Sequence, residues 1–122
     1  MRARGLVWLG TRTRNFDETV RFFGDTLGLR KAHEVPDFTV FRLPNGDTVE
    51  VFGPGDTGHE HFDAGPVAGF LVDDVGEARA DLEAAGVPFL SPVQASDDGA
   101  VWSHFRGPDG NVYEVTTPAK LG

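Results

Sequence analysis

The sequence contains no cysteine among its 122 residues. That excludes a disulfide, a thiol nucleophile and a zinc–thiolate site. It also has no long hydrophobic run, and the apolar stretch at residues 6–9 is far too short for a membrane span or a signal-peptide core. Basic residues are scarce, 11 against 19 acidic ones, so the formal net charge is −8. Such a charge repels phosphate backbones and favours cationic ligands. We therefore expect a cytoplasmic protein that binds neither nucleic acid nor membrane.

What the chain does contain is typical of one globular domain spanning residues 1–122. Hydrophobic residues make up 39% and charged residues 25% of the sequence, a balance typical of folded rather than disordered chains. The length is sufficient for one ordinary hydrophobic core.

One stretch of sequence is written twice. "FRLPNGDTVEV" at residues 41–51 and "FRGPDGNVYEV" at residues 105–115 align at an offset of 64, and each carries one Glu inside an apolar strand. The Pro-x-Gly segments between the apolar runs are turn signals. An internal repeat predicts two copies of one structural unit.

Module one, residues 5–52, reads as β-α-β-β-β. A strand at "LVWLGT" is followed by a helix that Asn15 can cap and Gly28 ends. The apolar stripe of that helix is Phe16, Val20, Phe23 and Leu27. The three remaining strands are predicted at Arg30–Val35, Phe38–Arg42 and Thr48–Phe52.

Module two, residues 67–117, repeats this plan after a Gly- and Pro-rich linker at residues 53–66. The strand "VAGFLV" precedes a helix capped by Asp73 or Asp74 and closed by Gly86. Its buried stripe is predicted as Val75, Ala78, Leu82 and Ala85. Strands are predicted near Pro88–Val93, Ala100–Arg106 and Val112–Thr117. The hairpin turns favour antiparallel pairing over a parallel α/β sheet, so the predicted fold class is α+β.

The two faces of each hairpin differ. Odd-numbered side chains such as Phe41, Val51 and Val115 are apolar and suit a face covered by a helix. The even-numbered positions combine aromatic rings with ionisable groups; they include Phe38, Glu50, Phe52, Trp102, His104 and Glu114. Aromatic walls with a few ionisable groups are typical of a ligand pocket.

A five-residue turn in the second hairpin would pair Arg106 with Val112 and place His104 opposite Glu114. The imidazole and the carboxylate could then form a hydrogen bond. We expect such a pair to raise the pKa of His104 and to lower the pKa of Glu114. A four-residue turn would undo the pairing.

The paired modules, "RFFGDTLGL" at the end of the first helix and "FRGPDGNVYEV" near the C-terminus resemble the vicinal oxygen chelate superfamily. Its members include glyoxalase I, extradiol dioxygenases, methylmalonyl-CoA epimerase and bleomycin-resistance proteins. The resemblance implies an eight-stranded cup built from the two β-α-β-β-β modules, and a homodimer as the functional form.

Metal-dependent members of that superfamily take His or Gln ligands from the first strand of each module and Glu from the last. Glu50 and Glu114 stand at the last-strand positions, but the first-strand positions carry Trp8 and Val67, which cannot bind a metal. Catalytic metal sites normally need about three protein ligands. We therefore expect no metal cofactor; the alternative is a divalent metal held by Glu50, His104 and Glu114.

Several roles stay open at this point. Glu50 and Glu114 either contact a ligand or are structural, and Trp8 either stacks on a ligand or fills the space of the missing ion. By resemblance to fosfomycin-resistance enzymes, His104 and Trp102 line the pocket or pack. His59 and His61 in the linker are expected to be exposed polar residues, although a linker His could join a metal site.

The leading prediction is a metal-free small-molecule binder resembling bleomycin-resistance proteins. Its ligand-binding residues are predicted to be Trp8, Phe38, Glu50, Phe52 and Trp102, which suit an aromatic or cationic ligand. The alternative is an enzyme, a glyoxalase-like lyase, an isomerase or an extradiol-type dioxygenase. In that case His104 and Glu114 are the catalytic acid and base.

Overall fold

Each half of the chain folds as the β-α-β-β-β unit that the sequence predicts. A computed structural model describes residues 1–119. The first half contains β1 (Gly5–Arg12), α1 (Phe16–Arg21) with a π-helical turn (Phe22–Thr26), β2 (Arg30–Val35), β3 (Phe38–Arg42) and β4 (Thr48–Phe52). The second contains β5 (Val67–Leu71), α2 (Val75–Ala84), β6 (Gln94–Ala95), β7 (Val101–Arg106) and β8 (Val112–Thr117). No helix in this part of the chain is long and apolar enough to cross a membrane.

The strands of each module pair in the same pattern. In module one, β1 is parallel to β4, and β3 is antiparallel to both β4 and β2. In module two, β5 is parallel to β8, and β7 is antiparallel to both β8 and β6. The chain divides into two compact units, Trp8–Pro66 on one hand and Met1–Val7 with the chain from Val67 on the other. The linker therefore belongs to the module-one unit.

The odd-numbered face of each hairpin is covered by the helix of its own module, as expected from the alternation of side chains. In module one, Phe41, Val49 and Val51 pack with Val20 of α1. In module two, a second apolar cluster joins the helix to the sheet: Val72, Val75, Ala78 and Val115, with Leu82, Phe89, Val101 and Phe105 packed against it. Burial of these side chains supplies the main stabilisation of each module.

The two hairpin turns confirm the predicted five-residue length. Arg42 pairs with Thr48 and Arg106 pairs with Val112, so residues 43–47 and 107–111 form the turns. In each turn the arginine that precedes it donates to the carbonyl of the turn glycine, from Arg42 to Gly46 at 3.4 Å and from Arg106 to Gly110 at 2.7 Å. The repeated residues of the sequence thus build the same turn twice.

The first helix differs from the prediction beyond residue 21. The π-helical turn, closed by a bond from the Leu27 amide to the Phe22 carbonyl, adds one residue to the helical repeat. That extra residue rotates Leu27 away from the buried stripe. Leu27 is 54% exposed. Asn15 stands at the N-cap, but its side chain makes no capping bond. The predictions for Leu27 and for an Asn15 side-chain cap are therefore wrong.

Module two differs at the segment predicted as the strand Pro88–Val93. Only Phe89 forms a bridge there, to Phe105, and regular pairing resumes at β6. Prolines at positions 88 and 92 cannot donate to a strand ladder. Two backbone bonds still join the segment to β7, from Leu90 to the His104 carbonyl at 3.0 Å and from Arg106 to the Pro88 carbonyl at 3.1 Å. Arg79 of α2 holds it as well, because its guanidinium lies 4.6 Å from the centre of the Phe89 ring and donates to the Ser91 carbonyl.

The cap of α2 is resolved in favour of Asp74, whose carboxylate accepts from the Glu77 amide at 2.8 Å. Asp73 bonds Arg4 instead. Val75 and Ala78 are buried as predicted, whereas Ala85 is exposed because it lies at the end of the helix. The prediction that Ala85 is buried is therefore wrong.

The backbone conformation of the repeated turn can be tested by substitution at Gly110. Its φ is +84°, a conformation that costs an L-residue roughly 1–2 kcal/mol. We expect Gly110→Ala to lower the free energy of unfolding by about that amount in chemical denaturation. Gly58→Ala is the control, since no positive φ is found there and a Cβ would meet no atom closer than 4.0 Å. Equal losses in the two variants would contradict the turn assignment.

Candidate functional site

The imidazole of His104 and the carboxyl of Glu114 form a buried pair in module two. The two residues are directly opposed across β7 and β8, as the five-residue turn predicts. Nε2 of His104 lies 2.9 Å from Oε1 of Glu114. The side chains are 4% and 5% exposed. The register of the β7–β8 pair therefore brings together the two residues predicted to act as acid and base.

The pKa shifts of this pair run opposite to the expectation. Desolvation by burial lowers the pKa of His104 to about 4 and raises the pKa of Glu114 to about 8. The free-energy cost of removing each charge from water is larger here than the stabilisation by the oppositely charged partner. The expected raised His104 pKa and lowered Glu114 pKa are therefore wrong, and the two groups share one proton across the neutral pH range.

The pair has the chemistry of a proton-transfer site. A carboxyl that keeps its proton near neutral pH can act as a general acid, and its neutral imidazole neighbour can act as a general base. Perturbed pKa values of this kind concentrate at functional sites, but structural pairs show them as well.

Glu50 occupies the corresponding position in module one, with a different neighbour. It pairs with Val40 across β3 and β4, as predicted, so this strand neighbour offers no imidazole. It is half-buried. On its other side the register partner of Glu50 is Gly10 of β1.

The indole of Trp8 lies across Gly10. A Cβ at Gly10 would overlap the indole ring, with Cζ2 of Trp8 at 2.7 Å. Because Gly10 is the strand neighbour of Glu50, the indole lies beside the Glu50 position. Trp8 and Glu50 are thus brought together on the even-numbered face of module one.

An aromatic cluster covers the rest of this face. Phe38 and Phe52 stack with ring centroids 5.2 Å apart. The linker adds His59, whose ring stacks on Phe52 at 3.9 Å, and Phe62, which meets Phe52 edge-on at 5.7 Å. Phe62 also contacts Trp8, with centroids 6.0 Å apart. Five residues form this aromatic cluster: Trp8, Phe38, Phe52, His59 and Phe62.

The expectation that His59 is an exposed linker residue is wrong. Its side chain is 26% exposed, and Nδ1 lies 2.9 Å from Oδ2 of Asp56. His61 is half-buried as well. The Gly-rich composition of the linker concealed this arrangement, and the sequence signal that could have shown it was the apolar Phe62 beside the two histidines.

Trp102, the remaining predicted ligand-binding residue, lies two residues from His104 on the same strand. Trp102 is half-buried on β7, where it pairs with Gln94 and Thr116. His33 is exposed on β2, its ring 5.9 Å from that of Phe38.

A cleft of about 410 Å³ lies on the helix side of module one, between β1 and α1. A second, of about 470 Å³, lies between α1, β2 and β3. Neither cleft is lined by a predicted ligand-binding residue.

The model of the Glyoxalase/Bleomycin resistance protein/Dioxygenase superfamily matches residues 5–115. The chain belongs to this superfamily. The match spans both modules and the linker, and it confirms the resemblance inferred from the two hairpins. No curated protein matches the sequence significantly.

Solved structures of the superfamily show the same fold. The methylmalonyl-CoA epimerase of Mycobacterium tuberculosis aligns with a TM-score of 0.74 and 19% identity over 97% of this chain and 90% of its own. The Mn(II)-bound glyoxalase of Novosphingobium aromaticivorans aligns with a TM-score of 0.75 and 24% identity over 99% of this chain but only 42% of its own. A superfamily member from Vibrio splendidus gives 0.68 and 18%, over 96% and 100%. The predicted fold class, α+β with eight strands in two β-α-β-β-β modules, is confirmed.

The superfamily's ordinary metal site does not suit the residues of this chain. Trp8 and Val67 have no side-chain atom that binds a metal, and Glu114 is bonded to His104. Within residues 1–119, no three His, Cys, Asp or Glu side chains are grouped closely enough to hold a metal ion. The alternative set of Glu50, His104 and Glu114 is not among such groups.

The His104–Glu114 pair predicts a distinct pH dependence of stability. Between pH 6.5 and about 8 the folded pair keeps a proton that the unfolded chain has lost, so stability falls as pH rises, by up to about 1.4 kcal/mol per unit. Between pH 4.5 and 6.5 both states hold one proton and the pair adds no slope. Urea denaturation at a series of pH values measures this.

Glu114→Gln is the matched variant, because it keeps a neutral hydrogen-bonding side chain. Its stability should rise from pH 4 to 6.5, where unfolded His104 binds a proton, and show no decline from this pair above 6.5. An unchanged difference between the two proteins across pH 6.5–8 would contradict the assignment.

The contact of Trp8 with Gly10 can be tested by filling the space above the glycine. Gly10→Ala should displace the indole, lower stability by roughly 1–3 kcal/mol and shift the Trp8 emission, measured in a Trp102→Phe background. Gly5→Ala on the same strand is the control, because the nearest side-chain atom to its Cβ is 4.0 Å away. An unchanged Trp8 spectrum would show that the indole lies elsewhere.

Proposed function

We propose that this protein is a metal-free, small-molecule-binding member of the superfamily. In this proposal the ligand is planar and carries a cationic or hydrogen-bonding group. Trp8, Phe38 and Phe52 contact its planar part, and Glu50 meets its polar group.

The indole of Trp8 lying on Gly10 beside Glu50 is the observation that supports this function best. A half-buried carboxylate next to aromatic rings can orient a cation, because both the charge and the ring faces attract it. The formal charge of −8 favours the same class of ligand. Affinity would come from apolar burial, at about 25 cal/mol per Å² removed from water.

The proposed absence of a metal rests on the same positions. Trp8 and Val67 replace both first-strand ligands that the superfamily ordinarily uses. Glu114 is engaged with His104 at 2.9 Å, so a cation there would have to displace a buried hydrogen bond. Two carboxylates without further ligands fall short of the three that a catalytic site needs.

An acid–base enzyme is the second candidate, and the His104–Glu114 pair is the observation that favours it. A buried carboxyl with a pKa of about 8 and a neutral imidazole can give and take one proton. The fold neighbours include an epimerase and a glyoxalase. A proton abstraction and return on a small substrate, as in an isomerase or lyase, would use the pair in this way.

A homodimer in the cytoplasm remains our expectation for the working form. The proposal does not depend on it, since Trp8, Phe38, Glu50 and Phe52 all lie in the module-one unit.

A thermal-shift screen tests the proposal with planar cations, namely thioflavin T, berberine and benzamidine, and with anionic anilinonaphthalene sulfonate as the charge control. We expect the cations to raise the melting temperature of the wild type. Glu50→Gln and Trp8→Leu should each weaken their binding about tenfold, which is about 1.4 kcal/mol. Binding by the anion alone, or binding unaffected by both variants, would contradict the proposal.

Elemental analysis of protein purified without chelator tests whether the protein is metal-free. The binder should contain well below one equivalent of divalent metal. A near-stoichiometric metal that is lost in Glu114→Gln would reject the metal-free proposal and favour a metal-dependent enzyme.

A further inference from the structure

The imidazole of His59 occupies the face of Phe52 in the manner of a bound ligand. Its ring stacks on Phe52 at a centroid distance of 3.9 Å and an interplanar angle of 22°. The ring of Phe62 meets it edge-on at 5.1 Å and 60°. A stack on one side and an edge contact on another are both contacts that stabilise an aromatic ring.

The polar end of the imidazole is recognised as well. Nδ1 of His59 lies 2.9 Å from Oδ2 of Asp56, and the two side chains are 26% and 19% exposed. The ring is therefore held by an aromatic face, an aromatic edge and a carboxylate. These three elements together suit a planar ring that carries an N–H donor.

The segment that delivers the imidazole is anchored by contacts that do not involve the ring. Gly55 donates its amide to Asp37 Oδ1 at 3.1 Å, and Arg12 donates to the Asp56 carbonyl at 3.3 Å. The Asp56 carboxylate also accepts from the backbone amide of His59 at 3.0 Å. Loss of the imidazole would thus leave Phe52, Phe62 and Asp56 in place around a vacated position.

We propose that Phe52, Phe62 and Asp56 form a binding slot for planar nitrogen heterocycles or amidines with an N–H donor, and that His59 fills this slot in the ligand-free protein. The inference rests on the proposed function and narrows its ligand class, because the aromatic part of a ligand reaches Phe52 by displacing His59. Phe52 is only 2% exposed, so binding there requires this exchange.

Chemical rescue tests the slot at constant pH and ionic strength. Imidazole added to His59→Ala should raise its melting temperature saturably, and at lower concentrations than any rise in the wild type. Thiazole, which is planar but has no N–H, and pyrrolidine, which has an N–H but is not planar, should each give little effect. His59→Leu, which refills the slot with an apolar side chain, should not respond to imidazole.

Asp56 is tested in the same background. His59→Ala combined with Asp56→Asn should lose most of the response to imidazole. The asparagine side chain can still accept from the backbone amide of residue 59, but it lacks the negative charge that binds the imidazole N–H. A lack of response in His59→Ala, or an equal response to all three small molecules, would overturn the slot. If His59→Ala does not fold, a wild-type-like response of folded His59→Leu to benzamidine would equally reject it.

Competition by the side chain gives the last measurement. Benzamidine should bind His59→Ala roughly three- to tenfold more tightly than the wild type, since no stacked ring must leave first. Equal affinities in the two proteins would show that His59 does not occupy the ligand position. Failure of Glu50→Gln and Trp8→Leu to affect ligands, with imidazole rescue intact, would reject the proposed function and leave the slot standing.

Discussion

The register of the β7–β8 hairpin determines the chemistry of module two. A turn of residues 107–111 places His104 directly opposite Glu114, and a turn shorter by one residue would send one of the two to the other face of the sheet. This turn depends on Arg106, which donates to the Gly110 carbonyl, and on the positive φ of Gly110. Backbone geometry several residues away thus decides whether a carboxyl and an imidazole share a proton.

The same hairpin in module one carries a different neighbourhood around its Glu. Glu50 pairs with Val40 and Gly10 on the neighbouring strands rather than with a histidine. The indole of Trp8 lies where a side chain at position 10 would otherwise be. Duplication supplied two equivalent strand positions for a carboxylate. The residues around these positions differ, with a buried imidazole beside Glu114 and a glycine covered by an indole beside Glu50.

Membership of the superfamily limits the range of functions without selecting one. Solved structures with 18–24% identity share the fold, and a fold of this kind supports epimerases and glyoxalases alike. The choice between binder and enzyme therefore depends on particular side chains. Trp8 at a first-strand position favours binding, whereas the buried His104–Glu114 pair keeps proton transfer available.

The sequence by itself determined the two modules and the faces of the hairpin strands, because turn residues and two-residue alternation are local properties. It left two turn lengths open for the second hairpin, and the strand register of the structure selects the five-residue turn that places His104 opposite Glu114. Only the tertiary structure decided the direction of their pKa shifts, since desolvation depends on everything packed around the pair. The contacts of His59 and Phe62 with Phe52, the π-helical turn that exposes Leu27 and the irregular segment near Phe89 also depend on packing between residues distant in the chain, which no local pattern records.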